Sequence, residues 1–423
     1  MRQPTTREQQ ALQWLRSQLD ELLPRWLERA PTPSGLFHPH FDRQWNRVAK
    51  DFCTVITQNR LLFNFSVGYR LTGEERYLDA VRAGADAFLR IFWDKRFGGW
   101  FHACRLSDGE PHDNRKDAYG HAFAIFGLSH AALVTGDERY ADAARRTWTL
   151  LQERFRDAHG GFVWWLSRDF RDLGRPRSQN PMMHLFEALL VLAELDRAGT
   201  TLADARSVAD FVLNLRLTDD GRLPEWYRSD WTPLPSDEGG VVDVGHAFEW
   251  AFLLSDAVGR GLPASYLEEG KKLLELGLRL GYDARDGGIF SPVTLEGDRG
   301  PARKGWWEQC ESTRALMHYL FFRGNSELSE PFLKTVAFVQ KHYVDPEFGG
   351  WYIVPPDLYS DQEDPARVAK TAQPGADARF GKLPVQGIRA GQGVHKGFEG
   401  KVDYHVVGMA WEAKRVLEEL SKA

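Results

Sequence analysis

Two stretches decide the architecture: TGEERYLDA at 72–80 and TGDERYADA at 135–143. They are near copies, and each runs through about two helical turns into a glycine–aromatic signal. Those signals are FWDKRFGGWF (92–101) and ERFRDAHGGFVWW (153–165). The same signal returns as DDGRLPEWY (219–227), DARDGGIFSP (283–292) and DPEFGGWYIV (345–354), with a weaker form, TPSGLFHPH, at 32–40. One glycine from each, Gly35, Gly99, Gly161, Gly221, Gly288 and Gly350, gives intervals of 60 to 67 residues. A fixed period of this size marks a repeat architecture in which each unit is one supersecondary element. Six such units fill the 423 residues.

Within a unit two kinds of helix alternate. MMHLFEALLVLAEL (182–195) and VGHAFEWAFLLSDAV (244–258) are apolar nearly all round, which requires burial on most sides. ERYLDAVRAGADAFLRIF (75–92) and RYADAARRTWTLLQERF (139–155) carry one charged face for water. The Gly-Gly segments read as tight turns where glycine supplies positive φ. Six buried helices, each followed by a solvent-facing one, close as an inner ring inside an outer ring. An open solenoid would need polar-faced caps and would leave the apolar helices half exposed. The sequence therefore predicts an (α/α)6 barrel as a single catalytic domain over 1–423. A Pro-, Gly- and charge-rich insertion at 355–400 is the candidate lid.

Composition excludes other classes. Lys and Arg number 54 against 59 Asp and Glu, so the net charge is −5, which argues against a nucleic-acid surface. No apolar run approaches the roughly 18 residues that span a bilayer, and the N-terminus lacks a secretory pattern. Three cysteines without CxxC spacing offer neither a disulfide framework nor a zinc site. A cytoplasmic protein without membrane or nucleic-acid partner is expected. The 15 Trp, 12 Tyr and 26 Phe suit a carbohydrate cleft and bulky core packing about equally.

The first turns of the inner helices carry the candidate chemistry. Arg60, His121, His184, His246 and Glu311 lie 22 to 25 residues beyond their glycines. His405 follows the insertion and starts HVVGMAWEAKRVLEEL (405–420). In a closed barrel these positions converge on one mouth. Each lone histidine also has a structural reading as a hydrogen-bonded core residue, and His121 is the member for which that reading weighs most. His102, His112, His130, His159, His318 and His342 share no phase with the ring and read as surface or structural. Glu187 and Glu249 follow His184 and His246 at i+3, on the same helix face, and can orient the imidazoles. Such pairs could also ligate a metal, but an arginine and tryptophans at the same mouth look more like a sugar site, and no metal is expected. Trp307 and Trp351 are the better stacking candidates, and Tyr119 and Asp172 complete the set.

The segments TQNRLLFNFSVGYRLTG (57–73), NPMMHLFEALL (180–190), DVGHAFEWAFLL (243–254), KGWWEQCES (304–312) and DYHVVGMAWEA (403–413) together resemble the N-acylglucosamine 2-epimerase family of sugar epimerases and isomerases. The resemblance implies an (α/α)6 barrel with no metal or organic cofactor, acting on free reducing sugars at C1 and C2. By it, His246 and His405 are the acid/base pair, Arg60 holds substrate oxygens and Glu249 supports His246. His184 and Glu311 contact the sugar, and Trp307 forms part of its wall. GHAFEW looks more like mannose isomerases, whereas KDAYGHAF (116–123) looks closer to cellobiose enzymes; GKVDYH (400–405) departs from the family's usual lead-in. The expectation is an aldose–ketose isomerase for mannose and related sugars. A mono- or disaccharide 2-epimerase is the alternative, and an inverting glycoside hydrolase or a helical scaffold are the readings from other classes. A homodimer is possible by family analogy.

Overall fold

The computed structural model describes residues 1–196, 198–216, 218–299, 303–358 and 393–422. Most of the insertion expected to be a lid, 355–400, lies outside the described residues. Among them are twelve α-helices. Six form an inner ring: α2 (Val55–Thr72), α4 (Ala118–Thr135), α6 (Asn180–Leu192), α8 (Val244–Gly259), α10 (Trp306–Phe321) and α12 (Tyr404–Lys422). Each packs on the next, and α12 packs back on α2, so the ring is closed. The outer helices are α3 (Glu75–Ile91), α5 (Glu138–Arg154), α7 (Thr200–Arg216), α9 (Tyr266–Leu280) and α11 (Ser329–His342), each lying against the inner helix before it. The outer partner of α12 is α1 (Thr6–Arg29), which packs along it.

All six repeat glycines have positive φ, between 67° and 89°, the left-handed region that the tight turns require. In four turns an aspartate four or five residues before the second glycine is clamped by a basic residue from the segment leading to the next inner helix. The pairs are Asp94–Lys116, Asp157–Arg177, Asp283–Lys304 and Asp345–Lys396, with N···O distances of 2.6–3.1 Å. Burial pulls the pKa of Lys116 and of Lys396 down to about 8. Breaking such a pair by removing one partner strands a buried charge.

Short antiparallel strands stitch the repeats together. The strand before each of four inner helices pairs with the strand after the next glycine turn: β1 (Cys53–Thr54) with β2 (Ala103–Cys104), which also pairs β3 (Pro111–Asp113), and β4 (Lys116–Asp117) with β5 (Trp165–Leu166). β6 (Arg177–Ser178) pairs with β7 (Trp226–Tyr227), and β8 (Val241–Val242) with β9 (Val293–Thr294). These ladders lie at the end where the inner helices begin. They fix what sits beside each helix's first turn.

Candidate active site

Arg60, His184, His246, Glu311 and His405 occupy the first two turns of α2, α6, α8, α10 and α12, and the structure brings them together. Each of the three histidines is buried, and each has a glutamate at Nδ1. His184 meets Glu187 at 3.2 Å, His246 meets Glu225 at 2.8 Å, and His405 meets Glu311 at 2.7 Å. A donor engaged at Nδ1 fixes the tautomer and ring orientation and leaves Nε2 for chemistry. None of the three Nε2 atoms has a hydrogen-bond partner among the described residues, and none is sealed from solvent.

Trp307 joins two of these rings. Its indole lies 4.9 Å from the His246 ring and 5.6 Å from the His405 ring, tilted 37° to both. Arg60 donates to the Tyr119 hydroxyl at 2.7 Å and to the Gly400 carbonyl at 2.8 Å. Its guanidinium lies over Phe123 and Tyr404. Tyr119 stands edge-on to His184 at 4.9 Å, and Tyr404 donates to Glu187 at 2.6 Å.

The two histidines beside Trp307 differ in charge preference. Burial disfavours the imidazolium of His246, but Glu225 and Asp243 outweigh it and push the pKa up to about 10. Burial also acts on His405, and there Arg60 and His184 add to it, holding the pKa well below the ordinary histidine value. Its partner Glu311 is shared with Arg314 and is pushed up to about 7, chiefly by burial. Divergent pKa values of two imidazoles on one pocket are the arrangement that separates an acid from a base role.

Glu249 behaves unlike the i+3 support expected from spacing. Its carboxyl is fully buried, both oxygens lack partners, and it lies 3.9 Å from His184 Nδ1. Burial raises its pKa well above the carboxylate range, and Glu311 and Glu187 add to the rise. His246 instead turns Nδ1 toward Glu225, on the turn before β7. The register Ser178↔Trp226 sets that residue beside Ser178 and Gln179. Sequence reasoning missed Glu225 because it sits in the glycine turn, outside the inner helix whose spacing picks out His246. Its only local signal is a glutamate enclosed by Pro224 and Trp226.

Three further expectations are corrected. His121 lies outside the centre: its Nδ1 bonds the Asp117 carbonyl at 2.7 Å and its Nε2 accepts the Trp100 N–H at 3.0 Å. Gln58 and Gln309 clamp Phe37 and Ile289 in the same way, two residues before Arg60 and Glu311. His121 therefore belongs to the clamping phase, and Phe123, two residues on, takes the inward one, packing on Arg60 and His184. Trp351 is fully buried, donates to Gln18 at 3.0 Å and packs on Tyr343, with no free face for a ligand. Asp172 is on the outer edge of its turn, 42% exposed and paired with Arg177 at 2.7 Å.

Unpartnered buried polar atoms are rare in native interiors, yet several gather on these helices: both oxygens of Glu249, Arg60 Nε, Asn180 Oδ1, Glu308 Oε2 and Arg314 Nε. This suits a ligand rich in hydroxyls. Two groups, His184–Glu187–Glu249 and Glu249–Glu311–His405, bring ligand atoms within 4.8 Å and could hold a metal ion. In both, however, the imidazole Nδ1 is already engaged by a carboxylate, and Arg60 and Arg314 supply positive charge. No helix of the described residues is long and apolar enough to cross a membrane.

The chain matches the family described as N-acylglucosamine 2-epimerase (GlcNAc 2-epimerase) over residues 35–368. It is 23% identical over 421 residues to D-mannose isomerase of Marinomonas mediterranea, covering 96% of this chain and 97% of that protein. It is 24% identical over 353 residues to cellobiose 2-epimerase of Bacteroides fragilis, covering 78% and 87%. A crystal structure of D-mannose isomerase superposes with a TM-score of 0.81 at 21% identity, covering 98% of this chain and all of that one.

Proposed function

Since the chain belongs to the N-acylglucosamine 2-epimerase family of sugar epimerases and isomerases, we propose that it is an aldose–ketose isomerase acting on mannose and related free aldoses. The observation that carries this reading is the pair of imidazoles flanking Trp307, one favouring the charged and one the neutral form. The likeness to D-mannose isomerase along almost the whole of both chains also supports it.

The reaction then follows from the geometry. On an open-chain aldose, neutral His405 removes the proton from C2 through Nε2 while imidazolium His246 protonates O1, giving a neutral cis-enediol. His405 returns its proton at C1 as His246 takes the O2 proton, and the C2 carbonyl of the ketose forms. Arg60 stabilises charge developing on O1 and O2, preorganised electrostatic help that needs no ion. Glu249, held protonated, can donate to a sugar hydroxyl, and Trp307 packs against the substrate between the two rings. Reprotonation at C2 from the opposite face would give the epimer instead. That route is the alternative favoured by the KDAYGHAF element and the cellobiose 2-epimerase likeness.

Incubating metal-free protein with mannose in D₂O and following the sugar by NMR tests this directly. Fructose carrying deuterium at C1 is expected. Glucose deuterated at C2 without ketose would shift the reading to epimerisation, and no exchange on any simple aldose would remove it.

A further inference from the structure

We propose that Glu225 is the positioning residue that makes His246 the resident acid of the pair, fixing its ring through Nδ1 and supplying the counter-charge for its protonated form. This rests on the acid/base reading given above. Of the three glutamates behind the histidines, Glu225 alone comes from a glycine turn rather than an inner helix, and it is the most heavily donated to. Its Oε1 accepts from Ser178 Oγ at 2.9 Å, and its Oε2 accepts from Gln179 Nε2 at 2.6 Å and from His246 Nδ1 at 2.8 Å.

The orientation of Gln179 is settled independently. The indole N–H of Trp250 can only donate, and it donates to Gln179 Oε1 at 2.6 Å. The amide NH₂ must therefore face Glu225. Glu225 thus accepts three hydrogen bonds, and His246 is the one cation-capable group bonded to it.

The other groups facing His246 do not duplicate this role. On its own helix, Asp243 spends Oδ1 on the backbone N–H of Gly245 and on Ser291, leaving Oδ2 3.9 Å from Nδ1, and Glu249 is held protonated. From α10, Glu308 is pushed up to about 8 by burial and then by Asp243, and Trp307 presents only its ring face. From α6, His184 adds repulsion. His405 lacks such a partner, because its glutamate is shared with Arg314. Glu225 thus accounts for the division of labour between two chemically identical side chains.

The test compares Glu225→Gln and Glu225→Asp with the unaltered protein in kcat/KM–pH profiles on mannose, with thermal melts to confirm folding. For Glu225→Gln the expected result is a fall in kcat of about 10²-fold at pH 8, little change in KM, and an alkaline limb moved from near pH 10 toward neutrality. Glu225→Asp keeps the charge but shortens the reach, so kcat falls while the alkaline limb stays high. An unchanged alkaline limb in folded Glu225→Gln would overturn the proposal. A second readout, NMR titration of the ¹⁵N-labelled His246 ring, needs no turnover. If the protein isomerises no aldose yet His246 still loses several units of basicity in Glu225→Gln, the positioning role stands and only the reaction reading fails. If the ring titrates alike in both proteins, the positioning role fails.

Discussion

Helices α8, α10 and α12 each carry two polar clusters, one in the first two turns and one seven to nine residues further on. The second cluster is as rich in chemistry as the first. His318 donates or accepts at both ring nitrogens, with Glu412 at 2.8 Å and Ser255 at 3.0 Å; Arg323 also donates to Ser255, and Arg415 joins Glu412 to Asp256. A serine, a histidine and a glutamate in line superficially suggest a nucleophile. But Ser255 has no exposed surface, and both ring nitrogens of His318 are spent on side chains of the core. At the other end the same residue types leave three Nε2 atoms and a whole carboxyl without hydrogen-bond partners among the described residues. Composition does not separate catalyst from brace; unspent hydrogen-bonding capacity does.

The comparison breaks most sharply at its two histidines. His405→Ala should lower kcat by about 10²–10⁴-fold, the range for a positioned acid or base, with a smaller loss of stability than at His318, because Glu311, already pushed up to about 7, can take a proton when its imidazole is removed. His318→Ala should do the reverse. It leaves Glu412 buried without its imidazole partner and should cost about 3 kcal/mol of stability, with kcat of the folded fraction within a few-fold of the original. Turnover assays and denaturant titrations on both variants check this, and the comparison fails if the two swap phenotypes.

Glu249 sharpens the point in the opposite direction. Removing an unpartnered buried acid from between Glu187 and Glu311 should relieve a cost of about 1–2 kcal/mol. Glu249→Met, of similar volume and without hydrogen-bonding groups that need partners, is therefore expected to melt higher than the unaltered protein while turning over more slowly. A lower melting temperature would mean that the carboxyl has a structural role.

The two ends should also titrate in different windows. His246 has its pKa raised on folding, so its contribution is complete below the unfolded value near 6.5 and is lost as pH rises toward about 10. Asp256 and Glu412 are lowered despite burial: Arg260 and Arg415 hold Asp256 down, and Arg415 and His318 hold Glu412 down. Their contribution is present above the ordinary carboxylate range and is lost as pH falls through their depressed values. Stability measured against pH should therefore fall on the alkaline side in a manner that His246→Gln removes. The acid-side fall should persist in that variant.

Much of this was legible in the sequence, for reasons that also explain what was not. The six glycine turns are constrained by φ, so they recur at fixed spacing and give away the ring of helices. The registers of Arg60, His184, His246, Glu311 and His405 follow, because a side chain's direction on a helix is set by its distance from the start. His121 was misplaced because two inward phases exist two residues apart, one clamping the turn and one facing the pocket, and spacing alone blurs them. Glu225 was invisible for a different reason. It sits in the glycine turn just before β7, where the β6–β7 ladder holds it, outside the inner helices whose periodicity gives the other positions. Trp351 misled because a glycine turn places aromatics both toward the core and toward the mouth.

The smallest expected effect concerns metal. The two groups that could ligate an ion share Glu249. If Glu249 is the protonated acid that burial and its two neighbouring glutamates favour, each group offers a divalent ion one anionic oxygen fewer, and binding through Glu249 must release a proton. Dialysis against a chelator should then change kcat by less than about twofold, the scale on which a proton-transfer site indifferent to ions would vary. Added Zn²⁺ should inhibit increasingly as pH rises, because alkaline conditions strip the proton from Glu249 and free the donors. A chelator-sensitive activity restored by one cation would instead make the open end of the barrel a metal centre, and the contrast with the closed end would rest on an ion rather than on unpartnered side chains.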